Sequence, residues 1–249
     1  MKKSFISIIA ITLFVSMLSL SACKKDASKD LTQKLTLHIH NNVGTNEAEY
    51  GTTYTDLNGR KFNISDWRYY LSNIVLINSD GSERPISDTV FLVSPEQGNY
   101  VLGQVPVGNY QGFRFLIGVD STTNHSDPAT YPAGNPLAIQ DNPIHWSWNS
   151  GYIFMKLEGQ FDSTANATDV PNKDFFYHIG LDENSRTIDF TNQAFTVTKG
   201  YDKMVTVECD LRKVWTNINM VTENTTHSMM DGGLATKIAN NWSTAFTVE

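Results

Sequence analysis

The stretch MVTVECDL, Met204 to Leu211, decides the class of the fold. Val205, Val207, Cys209 and Leu211 alternate with Thr206, Glu208 and Asp210. Side chains two apart in an extended chain share a face, so this pattern writes a strand with one apolar and one polar side. The same alternation recurs outward along the chain. Leu35, Leu37 and Ile39 alternate with Thr36, His38 and His40, and Phe113, Phe115, Ile117 and Val119 with Arg114, Leu116 and Gly118. Residues 69–77, 152–158, 175–179 and 194–198 follow the same logic. Turn residues divide the segments, as in Asn78-Ser-Asp-Gly81, Pro106-Val-Gly108 and Lys199-Gly200. About eight or nine strands without helical crossovers predict an all-β fold. The expected form is an antiparallel β-sandwich, a barrel being the other way to close such sheets. Leu234, Ile238 and Trp242 fall at steps of four, with Ala235, Ala239 and Phe246 nearby, and predict a short C-terminal helix over 234–246.

The start of the chain sets the compartment. Lys2 and Lys3 precede an apolar run over 5–20, of signal-peptide rather than clearly spanning length. The run ends in Leu20-Ser-Ala-Cys23, which resembles a bacterial lipobox with Cys23 as the lipidated first residue of the mature chain. A plain secretory signal or a single membrane anchor is the alternative. The expected organisation is a lipoprotein signal peptide over 1–22, a charged flexible tether over 23–33 and one domain over 34–249. Cleavage removes two lysines and no acid, so the net charge moves from −7 to −9. Strong acidity without a basic cluster argues against nucleic acid. The membrane link is then the N-terminal lipid alone, and the expected location is the cell envelope, lipid-anchored to the outer membrane.

With Cys23 spent on lipid, Cys209 has no partner in the chain. Its place on the apolar side of a strand reads as a small core hydrophobe, a thiolate ligand being the lesser reading, and no zinc-type cysteine spacing exists. The six histidines offer more. His38 and His40 put two imidazoles on one strand face, a spacing that can grip copper or zinc, although a solvated strand face has the same appearance. His178 shares a face with Phe176 and reads first as a structural histidine, a ligand being the lesser reading. His125 sits beside Asp127 in the long irregular stretch 121–143, as a ligand pair or as a turn. His145 stands directly before Trp146 and Trp148. His227 lies in a polar connection with no role assigned.

Catalytic constellations are weak. No GxSxG, HExxH, CxxC or phosphate-cradling loop occurs, and no carboxylate pair is defensible from spacing, so an enzyme is not expected. The five tryptophans permit sugar-stacking platforms but share no periodicity.

Three stretches together resemble the MbnP-like family of copper-binding, methanobactin-associated periplasmic or surface proteins. They are Asp66-Trp-Arg-Tyr-Tyr-Leu-Ser-Asn-Ile74 with Asp80-Gly81; Val105-Pro-Val-Gly-Asn-Tyr110 with 115–119 and Asn124-His-Ser-Asp127; and His145-Trp-Ser-Trp-Asn-Ser-Gly-Tyr152 with 175–180. The resemblance spans roughly residues 33 to 220. It implies an extracytoplasmic β-sandwich that binds copper, in some members through imidazoles and a tryptophan oxidised to kynurenine by a dihaem peroxidase-like partner. Carried onto this sequence, it makes His38, His40, His145 and His178 the candidate ligands, with His125 in reserve. Trp146 and Trp148 are the modifiable pair. The chain lacks the cysteine pairs of some relatives. A surface adhesion or glycan-binding lipoprotein without metal is the alternative function.

Overall fold

The structure is a computed structural model that describes residues 31–86, 89–147, 151–167, 169–228 and 233–249. Cys23, the signal segment and most of the tether lie outside the described residues. In chain order the strands are β1 (Thr32–Val43), β2 (Asn46–Glu47), β3 (Tyr54–Thr55), β4 (Lys61–Asn78), β5 (Glu83–Pro85), β6 (Phe91–Val93), β7 (Asn99–Pro106) and β8 (Gly108–Ile117). They continue as β9 (Ile153–Phe161), β10 (Lys173–Gly180), β11 (Arg186–Phe190), β12 (Phe195–Val197), β13 (Lys203–Asp210), β14 (Thr225–Thr226) and β15 (Phe246–Val248). Helix α1 (Ser121–Asn124) is a single turn, and α2 (Leu234–Ser243) is the C-terminal helix.

The strands form two sheets. The smaller runs β15-β13-β1-β2, with β7 also on β1; the larger runs β11-β8-β4-β9-β10-β14, with the short strands β3, β5, β6 and β12 on β4 and β8. Leu35, Leu37, Ile39, Val207 and Cys209 from the small sheet meet Trp67, Tyr69, Phe115, Leu157 and Tyr177 from the large one in a single core. The expected sandwich with a C-terminal helix is therefore the architecture. Two pairings depart from an all-antiparallel sheet: β1 with β13, and β10 with β14, are parallel. Helix α2 buries Leu234, Ala235, Ile238, Ala239 and Trp242 against the same core. It stops at Ser243, short of the expected 246. Phe246 instead opens β15, whose antiparallel pairing with β13 completes the small sheet.

A second, smaller core lies on the other side of the large sheet. Tyr70, Val119, Tyr152, Ile153 and Phe154 pack there with Leu137, Ile144 and Trp146 from the long connection between β8 and β9. Two tyrosines latch this connection down: Tyr70 donates its hydroxyl to the Pro136 carbonyl at 3.0 Å, and Tyr152 to that of Leu137 at 2.8 Å.

Strand β4 slips register three times, the last between Ile77 and Asn78 at its end, and the first two slips keep its apolar side inward. Its pairing shifts between Ile64 and Asp66 against β9, and between Ser72 and Val75 against β8. The core side chains are accordingly Phe62 and Ile64, then Trp67, Tyr69 and Leu71, then Ile74 and Leu76. Each bulge restores a parity that strict alternation would lose. At the second, exposed Asn73 takes a left-handed conformation, φ 49°. Asparagine tolerates this and β-branched residues do not. Asn73→Val is expected to cost about 1–2 kcal/mol in urea unfolding, whereas Asn73→Gly leaves stability within a few tenths of wild type. Equal loss in both would mean that side-chain contacts, not backbone conformation, select Asn73.

Candidate metal centre

Residues on the outward side of the large sheet form a polar row across four strands. In β4, Arg68 holds Asp66 bidentately, Nε to Oδ1 and Nη2 to Oδ2, both at 2.7 Å. Lys156 of β9 reaches Asp66 at 3.2 Å, Glu158 at 3.3 Å and the Asn142 side-chain carbonyl at 2.6 Å. Glu158 then accepts from Nε2 of His178 on β10 at 2.7 Å. The row ends at His227, just past β14, whose Nδ1 lies 3.2 Å from Nδ1 of His178. The two rings meet edge to face, with centroids 4.9 Å apart.

The chemistry of that contact follows from the donors. A carboxylate only accepts, so the His178 proton sits on Nε2 and the lone pair of the neutral ring sits on Nδ1. A carboxylate behind an imidazole is the arrangement that orients metal-binding histidines. The hydrogen bond from His178, followed by the charge of Lys156, outweighs burial and holds the Glu158 carboxyl below its usual value. Burial and the neighbouring His178 lower the His227 pKa, with Glu158 offsetting part of the effect. His227 therefore stays neutral, the form that coordinates metal, to lower pH than an ordinary histidine.

Trp146 adjoins this pair through Gly180. A Cβ at Gly180 would come within 2.3 Å of the Trp146 ring and 2.6 Å of the Tyr152 carbonyl oxygen. Only glycine lets the indole lie on the end of β10. Ser228, next to His227, accepts from the Gly180 amide at 2.7 Å and donates to the His178 carbonyl at 2.9 Å. The end of β10 is thus tied to Ser228 by hydrogen bonds and covered by Trp146 at Gly180.

The other candidates lie elsewhere. His38 and His40 project from the outer face of the small sheet, ring centroids 4.4 Å apart. His125 bonds the Ser121 carbonyl at 2.7 Å, with Asp182 4.0 Å away. His145 forms an isolated bridge to Tyr152, and its buried Nε2 has no hydrogen-bond partner among the described residues. Trp148 lies outside the described residues. Cys209 is fully buried and burial pushes its thiol pKa far up, so it packs as a core hydrophobe. Trp67, Trp146, Trp215 and Trp242 are all buried and present no open stacking face. His227 gave no periodic signal; the β-branched Thr225-Thr226 before it was the one hint of a strand. Among the described residues no group of three or more histidine, cysteine or acidic side chains is arranged to hold a metal.

The MbnP family model matches residues 32–231. The chain belongs to the MbnP family. A solved structure of MbnP from Methylosinus trichosporium shares the fold at 18% identity and a TM-score of 0.51. The alignment covers 74% of this chain and 78% of that one. Among curated proteins nothing matches. The motifs 66–74, 105–127 and 145–152 fall within the matched span of this MbnP-family chain; they supply the middle of β4, β8 with the start of the long connection, and Trp146.

The polar row makes a prediction about acid stability. Burial opposes the Asp66 charge, but Arg68 and Lys156 outweigh it and hold the carboxyl below its ordinary 3.8. On acidification the unfolded carboxyl takes its proton first. The stabilisation is therefore complete above about pH 3.8 and is lost as pH falls through the lower folded value. Asp66→Asn leaves Arg68 without its carboxylate and Lys156 with Glu158 as its remaining one, and is expected to cost about 3 kcal/mol at neutral pH. Urea midpoints measured against pH should show wild type and variant converging in acid; a constant gap would contradict the assignment.

Proposed function

We propose that this MbnP-family chain is a lipid-anchored extracytoplasmic copper-binding protein that takes the metal at the His178–His227 pair. It serves copper acquisition or storage without turnover. The observation that carries the reading is the 3.2 Å approach of two imidazole Nδ1 atoms, one ring braced from behind by Glu158. Imidazole suits copper, and two nitrogens at that separation match two corners of a tetrahedral site. Membership of a family linked to copper supports the choice of metal.

Two imidazoles leave coordination positions open. Trp146 lies against Gly180, two residues beyond His178, and its oxidation to kynurenine by a dihaem peroxidase-like partner would replace an indole that only donates hydrogen bonds by a group with an aniline nitrogen and a carbonyl. Trp148 is the other candidate for that change. The sequence also continues from Ser228 into Met229 and Met230, whose thioethers are soft donors of the kind copper(I) prefers. These two residues lie outside the described ones.

Protein from its native host should carry copper, and the peptide from His145 to Lys156 should contain kynurenine by mass spectrometry. His178→Ala with His227→Ala should lower bound copper at least about tenfold, since even losing a partner behind a ligand costs 10–100-fold. Undiminished copper in that variant would refute the site. Intact Trp146 and Trp148 at full copper occupancy would remove the kynurenine step and leave the histidines.

The anchor is a separate proposal. Among the described residues no helix is long and apolar enough to cross a membrane. Cys23→Ala should move the protein from the membrane fraction to the soluble one on ultracentrifugation. Unchanged membrane association would mean that the apolar 5–20 segment is retained as an anchor.

A further inference from the structure

The end of the sandwich where β1 begins carries a surface that neither the polar row nor the copper reading uses. Thr32 opens β1 opposite Pro106, the last residue of β7, and the Leu31 carbonyl accepts from the Val107 amide at 2.8 Å. The turn from β12 to β13 lies at the same end: Val197 pairs with Gly108 at the start of β8, and Lys203 with Leu35 on β1. The Tyr201 amide closes that turn on the Thr198 carbonyl at 3.1 Å, with Gly200 at φ 84°. A left-handed glycine in third place is what a type II turn requires, and it leaves Lys199 and Tyr201 exposed on either side.

Large apolar side chains stand open here. Tyr201 is 73% exposed and Leu31 53%. One row along the outer face of the small sheet, exposed Met204 of β13 and Val101 of β7 flank Thr36. Grouped exposed apolar surface marks a contact more often than scattered single residues do. The charges at this end are mostly positive. Lys34, Lys199 and Lys203 are joined by Arg84 of β5, near the Tyr110 hydroxyl. Asp80 is at the same end, since the Ser79 amide bonds the Asn109 carbonyl, but its carboxylate turns back on Ser82. Asp202 is held by Lys34 at 2.9 Å. Lys199 and Lys203 are in no ion pair among the described residues. This end is therefore basic in a chain whose net charge is −7.

We propose that this end docks on an anionic lipid surface, the one to which the chain's own lipid fixes it, a reading that rests on the anchor at Cys23. Cys23 precedes Leu31 by eight residues, and eight extended residues span at most about 28 Å. A lipidated Cys23 keeps Leu31 within that reach of the headgroups. Tyr201 and Leu31 enter the interface, where aromatic and apolar side chains are favoured. Lys199 and Lys203 lay their stems along it and hold their ammonium groups at the phosphates. The short tether is what selects a lipid surface over an acidic protein as the occupant, because it presents the membrane to this end at high effective concentration. Net charge alone leaves the membrane link to the lipid; the uneven placement of that charge adds a second contact.

Hydroxyl-radical footprinting of the anchored full-length mature chain, read by peptide mass spectrometry, tests the docking. The chain is placed in vesicles of phosphatidylglycerol with phosphatidylcholine and in vesicles of phosphatidylcholine alone. At low salt Tyr201 and Met204 should be oxidised at least about fivefold more slowly on the anionic vesicles, since each lysine near such a surface contributes about that factor. Leu57, exposed in the turn between β3 and β4 at the opposite end of β4, should react equally on both. Salt at about 1 M, where the screening length is about 3 Å, should remove the difference. Lys199→Glu with Lys203→Glu should abolish it while the chain stays in the membrane fraction, with circular dichroism confirming the fold. Equal oxidation of Tyr201 on the two kinds of vesicle, or protection that survives both glutamate changes, would overturn the docking with the anchor intact. The mass of the N-terminal peptide reads the anchor separately: Cys23 without lipid would remove the anchor and the docking together.

Discussion

Strand β4 must serve two cores at once, and its register carries that constraint. It runs eighteen residues through the middle of the large sheet. Trp67, Tyr69 and Leu71 fill the sandwich core while Tyr70, one residue over, anchors the second core on the opposite face. Without the bulges at Ser65 and Asn73, one set of apolar side chains would turn toward the wrong side. The first bulge also aims Asp66 and Arg68 outward, at the start of the polar row. The register of one strand thus orders the core, the latched connection and the approach to the candidate metal centre.

From there the argument is electrostatic. Lys156 is nearly buried between two carboxylates and an asparagine. Its charge is compensated locally, which a cation removed from water requires. The same network fixes Glu158, and Glu158 fixes the His178 ring. The His178 imidazole is therefore held in one orientation by the protein itself. Preorganisation of this kind lowers the ordering cost of binding. Gly180, two residues beyond His178, leaves room for the Trp146 indole at the end of β10.

Much of the fold was legible in the alternation of particular residues. Val205, Val207 and Cys209 read correctly as inward, and Leu234, Ile238 and Trp242 as one helical face. What failed has physical reasons. Alternation carried straight across residues 69–77 misses the bulge at Asn73, because parity is set by pairing with β8 rather than by the local sequence. The helix was expected to reach Phe246, but pairing with Cys209 draws that residue into a sheet. The site was legible only in part. His178 stood out, yet its neighbour His227 is 49 residues away and arrives through a two-residue parallel pairing of β14 with β10. No period in a single sequence encodes such a contact. His38 and His40, whose spacing did announce a shared face, lie on the other sheet from His178.

The central claim is that a facing pair of imidazoles holds the copper. X-ray absorption on the copper-loaded protein from its native host tests it most directly. Imidazole rings give a characteristic outer-shell scattering pattern. The account predicts two imidazole scatterers per copper in wild type, with one lost in His178→Ala and one lost in His227→Ala. A spectrum unchanged by both substitutions, or one without imidazole scattering in wild type, would contradict it.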